Sequence, residues 1–115
     1  MNFSATTSCL GKFPVRRSPG GTTSAYVAEK LKVGDAVRVE GPFGASYLRE
    51  AHRGPIVAIA GGSGLAPIKS IVERALVKQM PQHIYFYFGV RSERDIYMED
   101  HFKALAKQHP TLHFV

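Results

Sequence analysis

One cysteine, Cys9, occurs in the 115 residues. This excludes an internal disulfide framework, a four-cysteine zinc site and a cysteine-ligated iron–sulfur cluster within the sequence. So sparse a use of cysteine fits a reducing, cytoplasmic compartment. Long apolar runs are missing too. The longest, residues 55–60, falls far short of the ~20 residues a membrane-spanning helix needs. The N-terminus has no basic stretch followed by an apolar one, so no signal peptide is expected. Clustered charge is also absent. Fifteen Lys and Arg against nine Asp and Glu give +6. Residues 1–53 hold eight basic and four acidic side chains, and residues 54–115 hold seven and five. Without a basic run or a recognition-helix pattern, nucleic acid is not an expected partner. A solvated surface is the plain reading; a patch that steers an acidic protein or a phosphate-bearing ligand is the alternative.

What is present changes style near residues 52–55. The front half reads as short extended segments and turns. Residues 12–17 are extended, with Pro14 implying an edge strand or a bulge. Ser18-Pro-Gly-Gly is a turn, and residues 24–31 form a short helix. Val37 and Val39 alternate with Arg38 and Glu40, which predicts a half-buried strand over residues 36–40. Gly41-Pro-Phe-Gly breaks it, and residues 46–48 start another. Beyond Gly54 the order becomes strand–helix–strand–helix–strand. The unbroken apolar run at residues 56–60 predicts a central parallel strand. Ile68, Ile71, Val72, Ala75 and Leu76 share one helical face, and Pro67 suits the first turn of that helix. Residues 84–90 predict a second buried strand. Asp95 is a candidate N-cap for a helix whose Met98, Phe102 and Leu105 share a face. Residues 112–115 begin a third strand. Ending there, the sequence reads as a window from a longer chain.

Three segments could carry chemistry. Ile59-Ala-Gly-Gly-Ser-Gly-Leu-Ala-Pro joins a buried strand to a helix. Gly61, Gly62 and Gly64 let the backbone turn and approach a ligand without a Cβ in the way. The following helix start suits a pyrophosphate. The spacing is neither G-x-G-x-x-G, because Pro67 stands where the third glycine would be, nor a P-loop, because no Gly-Lys-Ser/Thr follows. Arg16-Arg-Ser-Pro-Gly-Gly-Thr-Thr-Ser precedes a short helix, where Arg16, Ser24 and adjacent N–H groups could hold another phosphate. Taken alone, Ser24 reads as an ordinary N-cap and Arg16 as a solvated residue. Phe88-Gly-Val-Arg-Ser-Glu-Arg-Asp lies at the carboxyl end of the second parallel strand, the edge at which open α/β sheets bind ligands. Arg91, Ser92 and Arg94 could meet an adenosine ribose or its phosphate there; otherwise Asp95 caps a helix and the arginines are solvated.

Taken together and in this order, the segments resemble the ferredoxin–NAD(P)⁺ reductase superfamily. Within it they are most similar to the NADH reductase components of aromatic-ring-hydroxylating dioxygenases of the naphthalene and nitrotoluene type. The carriers are Asn2-Phe-Ser, Phe13-Pro-Val-Arg with Gly20-Gly-Thr-Thr-Ser, Leu31-Lys-Val-Gly-Asp, Gly41-Pro-Phe-Gly, Ala60-Gly-Gly-Ser-Gly-Leu-Ala-Pro and Phe88-Gly-Val-Arg. The resemblance implies an α/β fold with a β-barrel portion. Residues 1–53 would be the C-terminal part of an FAD-binding Greek-key barrel. Residues 54–115 would be an incomplete parallel nicotinamide-binding domain.

The resemblance also assigns sites. Phe3 and Ser4 would lie along the isoalloxazine, with Met1 standing where the family's flavin arginine belongs. Val15, Arg16, Gly20, Gly21, Thr23 and Ser24 would help bind FAD. Gly61, Gly62, Ser63, Gly64 and Pro67 would receive NAD(P)H, with Gly89, Arg91, Ser92 and Asp95 at its adenosine half. NADH is the expected nicotinamide, with NADPH tolerated. No catalytic acid or base and no metal ligand is implied. The [2Fe–2S] centre would belong to the intact protein and not to this segment, and Cys9 does not replace the family's Cys-Gly-x-Pro cysteine. The expected partners are a small iron–sulfur ferredoxin and, through it, a terminal oxygenase. By itself the segment is expected to be inactive as a reductase. A reductase of the flavohaemoglobin or phenol hydroxylase branch, or a non-catalytic nucleotide-binding remnant, are the alternatives.

Overall fold

A computed structural model of the chain describes residues 13–41 and 43–115. Phe3, Ser4 and Cys9 lie outside the described residues. The chain divides into two compact units, Met1–Ala45 and Ser46–Val115.

In the first unit the one regular element is helix α1, Thr22–Glu29, among the described residues. It buries none of its side chains. The strands expected at residues 12–17 and 36–40 are not formed: the described residues there belong to no sheet. Phe13, Val15, Val37 and Val39 are all exposed. An extended segment becomes a strand only when a neighbour takes up its N–H and C=O groups, and none of the described residues does so here. Segment 46–48, in the second unit, is likewise unpaired. The expected turn is present. The Gly21 N–H bonds the Ser18 carbonyl at 3.0 Å, and Gly20 takes φ +72°, a conformation that glycine adopts without a Cβ penalty.

The second unit is a three-stranded parallel sheet in the order β1 (Ile56–Gly61), β2 (Ile84–Gly89), β3 (Leu112–Phe114). Helix α2, Leu65–Val77, crosses from β1 to β2, and α3, Glu99–Gln108, crosses from β2 to β3. Ile56 pairs with Ile84, and Gly61 pairs with Gly89 at the other end. Ile84 pairs in turn with Leu112.

Successive crossovers of one hand, taken in one direction along a sheet, put both helices on the same face. That face holds the core. Ala58, Ala60, Ile84, Phe86 and Leu112 pack with Leu65, Val72, Ala75, Leu76 and Phe102. The expected apolar helical face is thus present, with Ile68 half-buried at its margin. Phe102 sits edge-on to Phe86 with ring centroids 4.7 Å apart and stacks on Phe114 at 5.4 Å.

The opposite face is open. Among the described strands β1 lies at the edge, and its alternate side chains are bare: Val57 is 64% and Ile59 70% exposed. Tyr85 and Tyr87 of β2 share that exposed face. A continuous apolar run signals two covered faces, and here one face lacks its cover. Asp95 is also not the cap of α3. It ends a short 3₁₀ turn, Glu93–Asp95, and α3 begins four residues later behind Met98. Its first turn carries Glu99 and Asp100, which favour the positive end of the helix.

The two helices are tied by Glu73 of α2. One carboxylate oxygen meets Lys69 Nζ at 2.5 Å and the other meets His101 Nε2 of α3 at 2.6 Å. Partial burial alone would push this carboxyl up, but hydrogen bonds from Lys69 and His101 outweigh it and hold Glu73 below the ordinary glutamate value. A depressed carboxylate stabilises the fold fully above its unfolded value, and that share is lost as pH falls through the depressed one. Glu73→Gln is therefore expected to lower the thermal midpoint at neutral pH, with the gap from the parent protein closing in acid. Thermal melts across pH 3–7 check this. A gap that is constant or widens toward acid contradicts it.

Candidate functional site

The carboxyl ends of β1 and β2 form an edge made largely of backbone. β1 finishes at Gly61, a 3₁₀ turn of Gly62–Gly64 follows, and α2 begins directly at Leu65. Gly62 takes φ +50°, which a side chain would resist. Around Gly62 and Gly64, a Cβ would meet nothing within 4 Å. The loop thus opens onto free space on its outer side. Gly61 and Gly89 pair across the strands, so no side chain rises between them at this point. Pro67 falls in the first turn of α2, as expected, where its missing N–H costs no hydrogen bond. No side chain caps α2. The first turn of a helix presents N–H groups that lack intrahelical carbonyls, together with the positive end of the dipole.

Beside this loop, the chain leaving β2 passes through Arg91 and Ser92 to Asp95. The Ser92 hydroxyl donates to Asp95 Oδ2 at 2.8 Å, and the Asp95 N–H returns to the Ser92 carbonyl at 2.9 Å. Asp95 thus closes its own turn. Arg91 and Arg94 are exposed and form no ion pair with the described residues. The structure brings Gly61, Gly62, Ser63, Gly64 and Pro67 to one sheet edge with Gly89, Arg91, Ser92 and Asp95. A cavity of about 540 Å³ lies next to it, lined by Glu93, Glu99 and Asp100 with Tyr97. Three carboxylates repel a phosphate, so this cavity does not suit an anionic ligand.

One side chain at this edge escaped the sequence reading. The Tyr97 hydroxyl donates to the Gly62 carbonyl at 2.8 Å, across 35 positions of sequence. Its ring stands edge-on to Phe88 of β2, centroids 5.6 Å apart. A lone tyrosine between a turn and a helix carries no pattern that separates this role from ordinary packing.

In the first unit, Val15 and Arg16 are exposed, and Arg16 is unpaired among the described residues, whereas Arg17 pairs with Glu29. Gly20, Gly21, Thr23 and Ser24 gather at the start of α1, with Gly21 as its N-cap. Ser24 is not the cap. Its Oγ lies inside the first turn and accepts the Ser18 N–H at 3.1 Å. The hydroxyl proton of Ser24 remains available to an anion. A Cβ on Gly21 would stand 2.7 Å from Ser24 Oγ and 3.2 Å from the Ser18 carbonyl oxygen, so a side chain there would turn the Ser24 hydroxyl aside and press on the turn.

A glycine-edged parallel strand–helix–strand unit with its carboxyl edge open defines a nucleotide-binding α/β domain. The comparison with known proteins narrows this. The profile of the oxidoreductase NAD-binding domain family matches residues 58–115, and the chain belongs to that family. It is 50% identical over 101 residues to the ferredoxin–NAD(P)(+) reductase component of the naphthalene 1,2-dioxygenase/salicylate 5-hydroxylase systems of a Ralstonia species. That match covers 88% of this chain and 31% of the relative. Identity to the corresponding Pseudomonas putida naphthalene 1,2-dioxygenase component is 44%, with the same coverage. Among solved structures, the Amycolatopsis cytochrome P450 reductase GcoB superposes with a TM-score of 0.76 at 39% identity. This match covers 88% of this chain and 32% of that one. The chain thus spans about a third of the length of the relatives it matches.

Proposed function

We propose that this chain is part of an FAD-dependent NAD(P)H reductase that feeds a small iron–sulfur ferredoxin and, through it, an aromatic-ring dioxygenase. The observation that carries the reading is the open glycine edge of Gly61, Gly62 and Gly64, set at the carboxyl end of a parallel sheet within the family-matched region. Residues 54–115 would take the nicotinamide dinucleotide, its pyrophosphate against the Gly62–Leu65 backbone and its adenosine half toward Arg91, Ser92 and Asp95. Residues 1–53 would belong to the flavin-binding barrel. There the unpaired Arg16, the N–H groups at the start of α1 and the free hydroxyl proton of Ser24 suit the FAD pyrophosphate. Phe3 and Ser4 would complete that site. When bound, the flavin supplies the conversion of a hydride pair into single electrons; the residues of this chain bind, orient and neutralise charge. The reading places the protein in the cytoplasm. Its [2Fe–2S] centre would lie outside these residues.

NADH is the expected donor on the family resemblance, with NADPH tolerated: Asp95 disfavours a 2′-phosphate close to the ribose, while the exposed Arg91 and Arg94 would welcome one. Calorimetric titration of the chain should give one saturable site, tighter for NADH than for NADPH. A preference for NADPH of tenfold or more, about 1.4 kcal/mol, contradicts the expected preference. Failure of both to bind contradicts the site. Electron transfer is tested in a polypeptide of the relatives' length that contains these residues. NADH should bleach its FAD absorbance and reduce a [2Fe–2S] ferredoxin; flavin that stays oxidised under NADH overturns the reading.

A further inference from the structure

We propose that Tyr97 is a positioning residue for the glycine loop: its hydroxyl fixes the Gly62–Ser63 peptide so that the Ser63 N–H faces the pyrophosphate of a nicotinamide dinucleotide. The inference rests on the functional reading above and adds to it a residue that touches no ligand itself. The Gly62 carbonyl accepts two hydrogen bonds, one from the Leu65 N–H and one from Tyr97 Oη at 2.8 Å. Both acceptor positions of that oxygen are therefore in use. A trans peptide is planar, with its C=O and the following N–H pointing in opposite directions. Holding the Gly62 carbonyl toward Tyr97 thus turns the Ser63 N–H away from Tyr97. Ser63 is exposed, and no Cβ stands on either side of it.

Two further features show that the arrangement is held rather than incidental. Gly62 lies at φ +50°, so its peptide plane is not the one a continuing strand or helix would impose. Tyr97 is followed by Met98 at φ +62°, ψ +15°, a left-handed conformation uncommon for a residue with a side chain. Such a conformation persists only where its surroundings enforce it. The edge-on contact of Tyr97 with Phe88 anchors the ring to β2. One side chain therefore links β2, through its ring, and the loop after β1, through its hydroxyl, to the segment after β2; the two segments are those proposed to share the cofactor.

Tyr97→Phe removes the hydroxyl and keeps the ring. Calorimetric titrations of the chain with NADH and with ADP-ribose are expected to weaken roughly three- to tenfold for both, the range of one hydrogen bond. The thermal midpoint should move little, and the NADH-induced shift of the Ser63 amide in ¹⁵N spectra should shrink while that of Gly89 persists. Unchanged affinities, or equal attenuation of both amide shifts, overturn the proposal. Should the midpoint also fall, Ile84→Val, which trims a buried side chain at the opposite end of β2 and leaves loop, ring and hydroxyl alone, decides the matter. Retained affinity in Ile84→Val at similar stability supports positioning, and an equal loss of affinity overturns it. Gly64→Val separates this inference from the site itself: weaker binding in Gly64→Val with none in Tyr97→Phe sinks only the tyrosine, whereas no effect in either sinks the site.

Discussion

Gly64→Val is expected to raise the dissociation constant for NADH at least tenfold, above about 1.4 kcal/mol, with little change in thermal stability. Gly64 sits at φ −66°, ψ −7°, ordinary helical backbone that valine can adopt. The added side chain would meet nothing of the protein within 4 Å of its Cβ, so the fold has no steric reason to object. What the branched side chain would fill is the free space in front of the loop, where the pyrophosphate has to approach. Gly62 is the poorer choice for this test. Its φ of +50° would make any side chain cost roughly 1–2 kcal/mol in backbone strain, and lost binding could then reflect a distorted loop. Titration of NADH into Gly64→Val, alongside a thermal melt, makes the comparison. An unchanged dissociation constant at unchanged stability refutes the assignment of the loop.

The largest stability effect is expected from Phe102→Ala. Phe102 is fully buried between the sheet and α3, touching Phe86 and Phe114. Truncating such a ring costs about 3–5 kcal/mol, against a total of roughly 5–15 kcal/mol for an ordinary domain. The second unit has a short core and one uncovered sheet face, so it stands at the low end of that range. The variant should lose its cooperative denaturant transition, and its helical circular dichroism should fall well below that of the parent. Val77→Ala, on an exposed position of α2, should change stability by no more than about 0.5 kcal/mol. Equal stability of Phe102→Ala and the parent would mean that the described packing is wrong.

The sequence made the second unit legible where local pattern and tertiary need coincide. The apolar run into β1, the three glycines, Pro67 and the spaced Ile68, Val72, Ala75 and Leu76 all describe one strand–turn–helix, and the structure contains it. The same run does not report β1's place among these strands, because period and composition say that a strand is apolar, not which of its faces finds a neighbour. Val57 and Ile59 are as apolar as Ala58 and Ala60, yet they stand in the open. Asp95 looked like a cap because the residue type suits one. Only the structure shows its carboxylate bonded to the Ser92 hydroxyl, with the helix delayed behind a left-handed Met98. In the first unit, Val37 and Val39 alternate as a strand would, but alternation supplies no partner, and the described residues stay unpaired. Tyr97 reaches Gly62 only through the crossover that brings the end of β2 beside the end of β1. That contact is a product of topology, and no local pattern encodes it.

Mapping NADH onto the ¹⁵N-labelled chain by amide chemical shifts bears most directly on the central claim, that the carboxyl edge of this sheet receives the nicotinamide cofactor. The largest changes are expected at the amides of residues 61–65 and 89–95. Amides near Gln82, His83 and His113, at the opposite end of the strands, should stay within the noise. Shifts concentrated at that opposite end or on the bare Val57, Ile59 and Tyr87 face, or no saturable shifts at all, would contradict the claim.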